Sequence, residues 1–160
     1  MTQNTQNRGG AAVGVVSDLD SIEAASVIYL RLWFDGPDAQ AKVWNDFAAS
    51  LGSDQGRVAL RSFETLCSLC ARHGRRPLMR HSVQCACVGA DEACFAHFIA
   101  TAATGEREDA MLLASLIVRA DVTPLVASLA TDVGLAFKRM RLSAPRQMSA
   151  QDQTQPRTLH

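Results

Sequence analysis

Apolar residues recur at spacings of three and four along most of this chain, which is the period of an α-helix. The first such face carries Ile22 and Ala25, and it begins just after Asp20. Glu23 follows three residues later, so the two acidic residues have the spacing of a capping box. Ser53 is the predicted cap of the third helix, and Gly and Pro mark most breaks. The pattern predicts six helices, over residues 20–34, 37–51, 53–73, 91–105, 106–119 and 124–141.

The last two predicted helices carry the features of helices that pack against a partner. In residues 106–119 the apolar side chains cover nearly the whole circumference, which is typical of a buried helix. This helix is therefore either the centre of the bundle or the core of a dimer. In residues 124–141 the apolar positions alternate between spacings of three and four, from Val126 through Leu129 and Val133, as in a helix–helix seam. We expect a homodimer through these two helices, with a monomer built on one central helix as the alternative.

The remaining segments lack helical periodicity. Only HSVQCACVG alternates, with Cys85 and Cys87 on one side, and this favours at most a short extended piece. Residues 1–16 and 143–160 are polar and aperiodic, so we expect disordered N- and C-terminal tails. The predicted fold class is all-α, a single compact bundle of five to six helices, with the helical domain at residues 17–142.

Composition and charge narrow the class of protein. Sixteen basic residues balance sixteen acidic ones, so no overall field favours nucleic acid or an anionic membrane. The N-terminus lacks the basic start and apolar core of a secretory signal. The apolar run at 110–118 has about half the length of a membrane span. Five cysteines are an odd number and indicate no disulfide framework, so we expect a cytoplasmic protein with reduced thiols and no membrane association.

Residues 67–97 hold all five cysteines and three of the four histidines. Zinc sites use these ligand types, contributed as short pairs. Cys67 with Cys70, and Cys94 with His97, each have a gap of two residues. The pattern allows a zinc site formed by these four side chains, and a zinc-binding or thiol-based sensor is our alternative function. Cys67 and Cys70 also lie on the apolar face of their helix, where cysteine packs as a small hydrophobic residue.

A reactive thiol is the second chemical hypothesis for these cysteines. If Asp91 caps the fourth helix, Cys94 is its third residue, where free N–H groups and the helix dipole stabilise a thiolate. The negative charges of Asp91 and Glu92 act against this. Cys85 and Cys87, on the preceding linker, are the other candidates. Phosphate-binding loops, nucleophile elbows and paired-histidine metalloprotease motifs are missing from the sequence, so we predict a protein without catalytic activity.

The segment ARHGRRPLMRH, residues 71–81, concentrates positive charge between the third and fourth helices. We call it the arginine-rich linker. Guanidinium groups bind carboxylates and phosphates through paired hydrogen bonds, so this linker predicts a surface for a protein partner or another anion. Its cations also lie within reach of an acidic group at the start of the fifth helix, which includes Glu106 and Asp109. The candidate binding residues are Arg72, His73, Arg75, Arg76, Arg80 and His81.

Binding to a nucleic-acid backbone is a second alternative, which two features disfavour. The arginine-rich linker has no aromatic residues for base stacking. None of the six helices resembles a basic recognition helix. The sequence therefore predicts a non-catalytic helical interaction or regulatory module that binds a protein partner through the arginine-rich linker.

Overall fold

Helices form most of the chain, as its apolar periodicity requires. A computed structural model describes the backbone of residues 8–151 and the side chains of residues 8–141. The all-α prediction is confirmed, and the helix bounds lie close to those expected for five of the six helices. The described helices are α1 (Ser21–Trp33), α2 (Pro37–Leu51), α3 (Ser53–His73), α4 (Ala90–Ala103), α5 (Arg107–Ile117) and α6 (Thr123–Gln151), and the strands are β1 (Ala12–Val15) and β2 (Cys87–Gly89).

Local capping explains several of these bounds. The Asp20 carboxylate accepts a hydrogen bond from the Glu23 backbone N–H at 2.9 Å, so the predicted cap of α1 is confirmed. The prediction that Ser53 caps α3 is wrong. Ser53 is the first residue of that helix, and Gly52 stands between α2 and α3 at a φ of 84°, a conformation that favours glycine. The chain therefore turns sharply between these helices with no side chain as a cap.

The central helix is α4, not α5. Helix α4 packs against α1, α5 and α6, and Phe95, Phe98 and Ile99 on it are fully buried. Helix α5 buries only a narrow stripe and leaves Leu112 and Leu116 67% and 66% exposed. The prediction that α5 is the centre of the bundle is therefore wrong. The sequence pattern shows which faces of a helix are apolar. It does not show which of those faces other helices of the same chain bury.

The apolar seam of α6 is filled from within the chain. Val126, Val133 and Ala136 are buried, although the spacing predicted a partner helix for them. Gly134 permits a close approach to α4, because a Cβ placed there would lie 2.7 Å from the Ala103 Cβ and 2.9 Å from the Ile99 carbonyl oxygen. The seam therefore supports the fold of one chain, and a dimer would have to use another surface.

The N-terminal segment is more ordered than its composition predicted. Of the expected tail 1–16, the described residues from 8 onward form a 3₁₀ turn at Arg8–Gly10, strand β1 and the start of a second turn. Strand β1 pairs antiparallel with β2, with Ala12 opposite Gly89 and Val15 opposite Cys87. The expected extended piece is thus present as β2. A tail was the wrong prediction for residues 8–16, because their hydrogen-bond partners are distant in sequence; residues 1–7 lie outside the described part.

Helix α6 also extends further than predicted. The sequence indicated a tail from residue 143, whereas the helical backbone reaches Gln151 and residues 152–160 lie outside the described part. Among the described residues, none of the helices combines the length and the apolarity needed to cross a lipid bilayer.

The contact between α4 and α6 gives a prediction for stability. Gly134→Leu inserts a side chain where even a Cβ meets Ala103, so we expect the free energy of unfolding to fall by about 1–3 kcal/mol, as for overpacked cores. Ser128→Leu, at an exposed position on the same helix, should change it by less than about 0.5 kcal/mol. Urea unfolding followed by circular dichroism measures both, and equal losses would contradict the close approach.

Candidate functional site

A buried ion pair joins α1 to the start of α4. The Arg31 Nε donates to the Glu92 Oε2 at 2.6 Å, and the Arg31 Nη2 donates to the Glu92 Oε1 at 2.9 Å. The two side chains are only 1% and 0% exposed. Removing one member of such a pair leaves an uncompensated charge in the interior, which is strongly destabilising. The two helices are therefore fixed relative to each other by a contact that the sequence did not reveal.

The same pair also holds the chain that leads into α4. Arg31 donates to the carbonyl oxygens of Cys85 at 2.8 Å and Cys87 at 2.6 Å, and Glu92 accepts from the Gly89 N–H at 3.0 Å. The hydrogen bond to Glu92 is the main cause that raises the pKa of Arg31. Each hydrogen bond offsets part of the cost of burying these charges. We call this arrangement the Arg31–Glu92 clasp.

A second ion pair lies beside the clasp. Asp91 accepts from the Arg76 guanidinium through both carboxylate oxygens, and the Met79 N–H donates to it at 2.8 Å. Gly9 packs closely here, since a Cβ at that residue would lie 2.1 Å from the Asp91 Oδ2. Asp91 was predicted to cap α4, and this is wrong: Gly89 is the cap. Asp91 instead orders the arginine-rich linker and the N-terminal segment.

The arginine-rich linker is used largely within the chain. Arg75 donates to the Ser115 carbonyl oxygen at 2.5 Å, and the Arg80 guanidinium lies 4.3 Å from the centre of the Phe34 ring, a cation–π contact. His73 contacts Arg119, and His81 contacts Gly10 and Cys85. The predicted binding residues therefore lie along the linker in separate contacts.

Arg72 is the exception among the six candidates. Its side chain is exposed and makes no hydrogen bond or ion pair with any residue between 8 and 141. The expected pairing of the linker with Glu106 and Asp109 does not occur, because Asp91 takes Arg76 instead.

Cys67 and Cys70 belong to the hydrophobic core, as their helical face indicated. Both are buried free thiols among the apolar side chains of α3 and its neighbours. Burial raises the pKa of Cys67 well above its ordinary value, and it raises the pKa of Cys70 to about 12. A thiol of this kind is protonated and inert at neutral pH.

The surroundings of Cys94 disfavour its thiolate. It is the fifth residue of α4, because the helix begins at Ala90. Burial, and next the charge of Asp91, raise the pKa of the Cys94 thiol. The helix start therefore does not lower the pKa of this thiol.

The structure does not assemble the predicted zinc ligands. Within residues 8–141, no three His, Cys, Asp or Glu side chains lie close enough together to hold a metal ion. Cys67 and Cys70 are in the core and Cys94 is half-buried on α4. His97 is exposed and lines a groove with Glu106 and Asp109.

Cys85 and Cys87 are both half-buried. Cys85 lies between the arginine-rich linker and β2, and Cys87 is the first residue of β2. The Cys85 Sγ is 3.6 Å from the His81 Nδ1, and the His81 Nε2 is 2.8 Å from the Gly10 carbonyl oxygen. The sequence pattern predicts Cys85 as a candidate reactive thiol and His81 as a binding residue of the arginine-rich linker, without a link between them. The sequence does not reveal their contact, because the His81 ring is oriented by Gly10, which lies in the segment predicted to be a disordered tail.

Among the described residues, Leu112 and Leu116 on α5 are the most exposed large hydrophobic side chains. Leu112 and Leu116 lie one turn apart on its outer side, and we call this pair the leucine face. Beside it, an open groove of about 720 Å³ includes Met111, Ser115 and Pro124. Monomeric proteins rarely expose large contiguous apolar patches without a binding role.

Comparisons with protein-family models, with curated proteins and with solved structures found no significant match to this chain.

The clasp gives a prediction. Arg31→Met leaves Glu92 buried without its partner, so we expect the free energy of unfolding to fall by about 3–5 kcal/mol. Adding Glu92→Leu removes the orphaned charge and should restore part of the loss. Arg61→Met, at an exposed position on α3, should stay within about 0.5 kcal/mol of the original protein. Urea unfolding measures the free energy of unfolding of all three variants. A double variant less stable than Arg31→Met would contradict the buried ion pair as the cause of the loss.

The core cysteines give a second prediction. Iodoacetamide at pH 8 should leave Cys67 and Cys70 unmodified in the folded protein, because burial disfavours their thiolates. Both should react once urea unfolds the chain. Peptide mass spectrometry locates the adducts, and rapid modification of either residue without urea would show that it is accessible.

Proposed function

We propose that this protein is a non-catalytic interaction module whose binding surface is the leucine face. The observation that carries the proposal is the exposure of two neighbouring leucines on one helix, Leu112 at 67% and Leu116 at 66%. Burying such side chains contributes about 1.5–3 kcal/mol each, which favours association strongly. The groove beside Leu112 offers a recess for an apolar side chain of the partner.

The distribution of charge along α5 favours a second copy of the same chain as the partner. Glu106, Glu108 and Asp109 lie at its N-terminal end and outnumber Arg107 there. Arg119 follows its C-terminal end, two residues before Asp121. Arg75 reaches the same end through its hydrogen bond to Ser115. Two copies of such a helix, packed antiparallel about a twofold axis, place each acidic end against a basic end.

The register of this packing follows from helix geometry. If Leu112 lies opposite Leu116 of the second copy, then Glu108 lies opposite residue 120 of that copy, next to its Arg119. Both leucine pairs are then buried at the centre of the contact and the charges lie at its rim. This is the usual arrangement of an interface, an apolar core inside a polar border.

This proposal keeps part of the arginine-rich linker in the interface. Arg72, His73 and Arg75 lie at or just beyond the C-terminal end of α3, and His73 and Arg75 touch the C-terminal end of α5. Arg76, Arg80 and His81 serve internal contacts. The linker therefore acts as the basic rim of the leucine face, and it provides anion recognition for the acidic end of the partner helix.

Sedimentation equilibrium tests the apolar part of the proposal. The protein should be a dimer, and Leu112→Glu combined with Leu116→Glu should weaken association by about 100-fold or more, because two charges are then placed at the centre of the contact. Val58→Glu is the matched control, since Val58 is 61% exposed on α3, and it should leave the dimer unchanged. A monomer at every concentration, or a dimer that tolerates both leucine changes, would contradict this surface.

Charge reversal tests the orientation. Glu108→Arg alone and Arg119→Glu alone should each weaken the dimer by roughly 30-fold, because the twofold axis repeats each change in two surface ion pairs worth about 1 kcal/mol each. The double variant restores opposite charges and should recover the affinity of the original protein. Additive losses in the double variant would rule out the antiparallel register, even if the leucine face is correct.

A further inference from the structure

We propose that Cys85 is a nucleophilic thiol that reacts with peroxides, with His81 as its proton acceptor and Cys87 as the thiol that resolves the oxidised product. This site is separate from the leucine face and does not depend on dimer formation. The contacts of His81 carry the argument.

The hydrogen bonds of His81 define which of its nitrogens holds a proton. The His81 Nε2 lies 2.8 Å from the Gly10 carbonyl oxygen. A carbonyl oxygen only accepts hydrogen bonds, so Nε2 must be the protonated nitrogen of the neutral ring. The opposite nitrogen, Nδ1, is then an acceptor, and it faces the Cys85 Sγ at 3.6 Å. This is the order of groups in a thiol–imidazole pair: a nucleophile, a base and a group that orients the base.

The His81 ring is also held in place by its surroundings. A Cβ at Gly89 would lie 3.0 Å from the ring, so the backbone of β2 packs directly against it. Gly10 belongs to the turn that precedes β1, and β1 is paired with β2. The ring is thus positioned by the small sheet as well as by its hydrogen bonds, as an oriented base requires.

Positive charge lies near the two thiols. The Arg31 guanidinium donates to the carbonyl oxygens of both Cys85 and Cys87. It is near enough to the two thiols that, after the larger effects of Glu92 and burial, they contribute to the raised pKa of Arg31. Glu92 balances part of this charge, so the imidazolium of His81 is the principal cation once it has taken the proton.

The other cysteines lack these features. Cys67 and Cys70 are buried in the core, and Cys94 lies beside Asp91, whose charge opposes a thiolate. Among residues 8–141, Cys85 is the cysteine with a hydrogen bond to a histidine. Cys87 follows it by two residues and is also half-buried.

The reaction proceeds in two balanced steps. The Cys85 thiol transfers its proton to the His81 Nδ1, and the thiolate attacks one oxygen of hydrogen peroxide. A sulfur–oxygen bond forms, the oxygen–oxygen bond breaks, and the departing hydroxide takes the proton from His81 and leaves as water. The Cys87 sulfur then attacks the sulfenic acid of Cys85, which gives a disulfide and a second water. Peroxide is reduced and the two thiols are oxidised.

Closing this disulfide constrains the backbone that the Arg31–Glu92 clasp holds. A disulfide holds its two Cα atoms roughly 4.4–6.8 Å apart, so a bond between Cys85 and Cys87 fixes the spacing of these two residues. The carbonyl oxygens that accept from Arg31 belong to the same two residues. Oxidation therefore acts directly on the contacts that join the linker to α1 and α4.

Dimedone trapping with peptide mass spectrometry tests the assignment. Reduced full-length protein is treated with hydrogen peroxide and dimedone, and each cysteine is quantified. We expect the adduct on Cys85, with a rate lower by about tenfold or more in His81→Ala. Free imidazole should restore part of that rate, which a purely structural role of His81 would not allow. His97→Ala, an exposed histidine away from Cys85, is the control and should react as the original protein does.

The original protein supplies a test that does not depend on how His81→Ala folds. In its first minutes of peroxide treatment without dimedone, the disulfide should join Cys85 to Cys87. In Cys87→Ser, the sulfenic acid of Cys85 should persist and remain available to dimedone. Faster oxidation of Cys94 than of Cys85, or a rate at Cys85 that neither His81→Ala nor imidazole changes, would overturn the assignment. A disulfide between Cys85 and any cysteine other than Cys87 would show that Cys87 is not the resolving thiol.

Discussion

The guanidinium of Arg31 and the carboxylate of Glu92 lie where α1, the loop before α4 and strand β2 meet. Arg31 makes four hydrogen bonds, to one carboxylate and two backbone carbonyls, and Glu92 also accepts from the N–H of Gly89. Two buried charges depend on their hydrogen-bond partners, because the loss of any partner leaves a buried polar group unpaired. The segment that bears the candidate thiols is therefore placed by these electrostatic contacts together with the packing of Val88 against Val27 and Ala96.

The neighbouring acidic residue extends this order outward. Asp91 binds the Arg76 side chain and the backbone of Met79, and Gly9 packs against it. Asp91 and Glu92, which are consecutive at the start of α4, thus form ion pairs with Arg76 and Arg31, two arginines from different parts of the chain. Asp91, in the first turn of α4, thus orders the middle of the arginine-rich linker. The density of charge along the linker does not reveal this internal use, because Arg76 and Asp91 are 15 positions apart in the sequence.

Much of the fold was predictable because its signals are local. The helices followed from apolar period, and the cap of α1 followed from Asp20 and Glu23. The core positions of Cys67 and Cys70 followed from the face on which they lie. The roles of α4 and α5 were not predictable in this way, since an apolar circumference does not say which neighbour covers it. The thiol–imidazole contact of the candidate site was also hidden, because it needs the β1–β2 pairing that orders residues 8–16.

The helical fold, most helix bounds and the positions of the core cysteines are encoded by residues within a few positions of one another. The pairing of Arg31 with Glu92 across 61 residues, the hydrogen bond of His81 to Gly10 across 71, and the exposure of Leu112 and Leu116 arise only when the chain folds. Such outcomes depend on which distant surfaces meet, and a buried charge selects its partner by geometry and desolvation that no local pattern encodes.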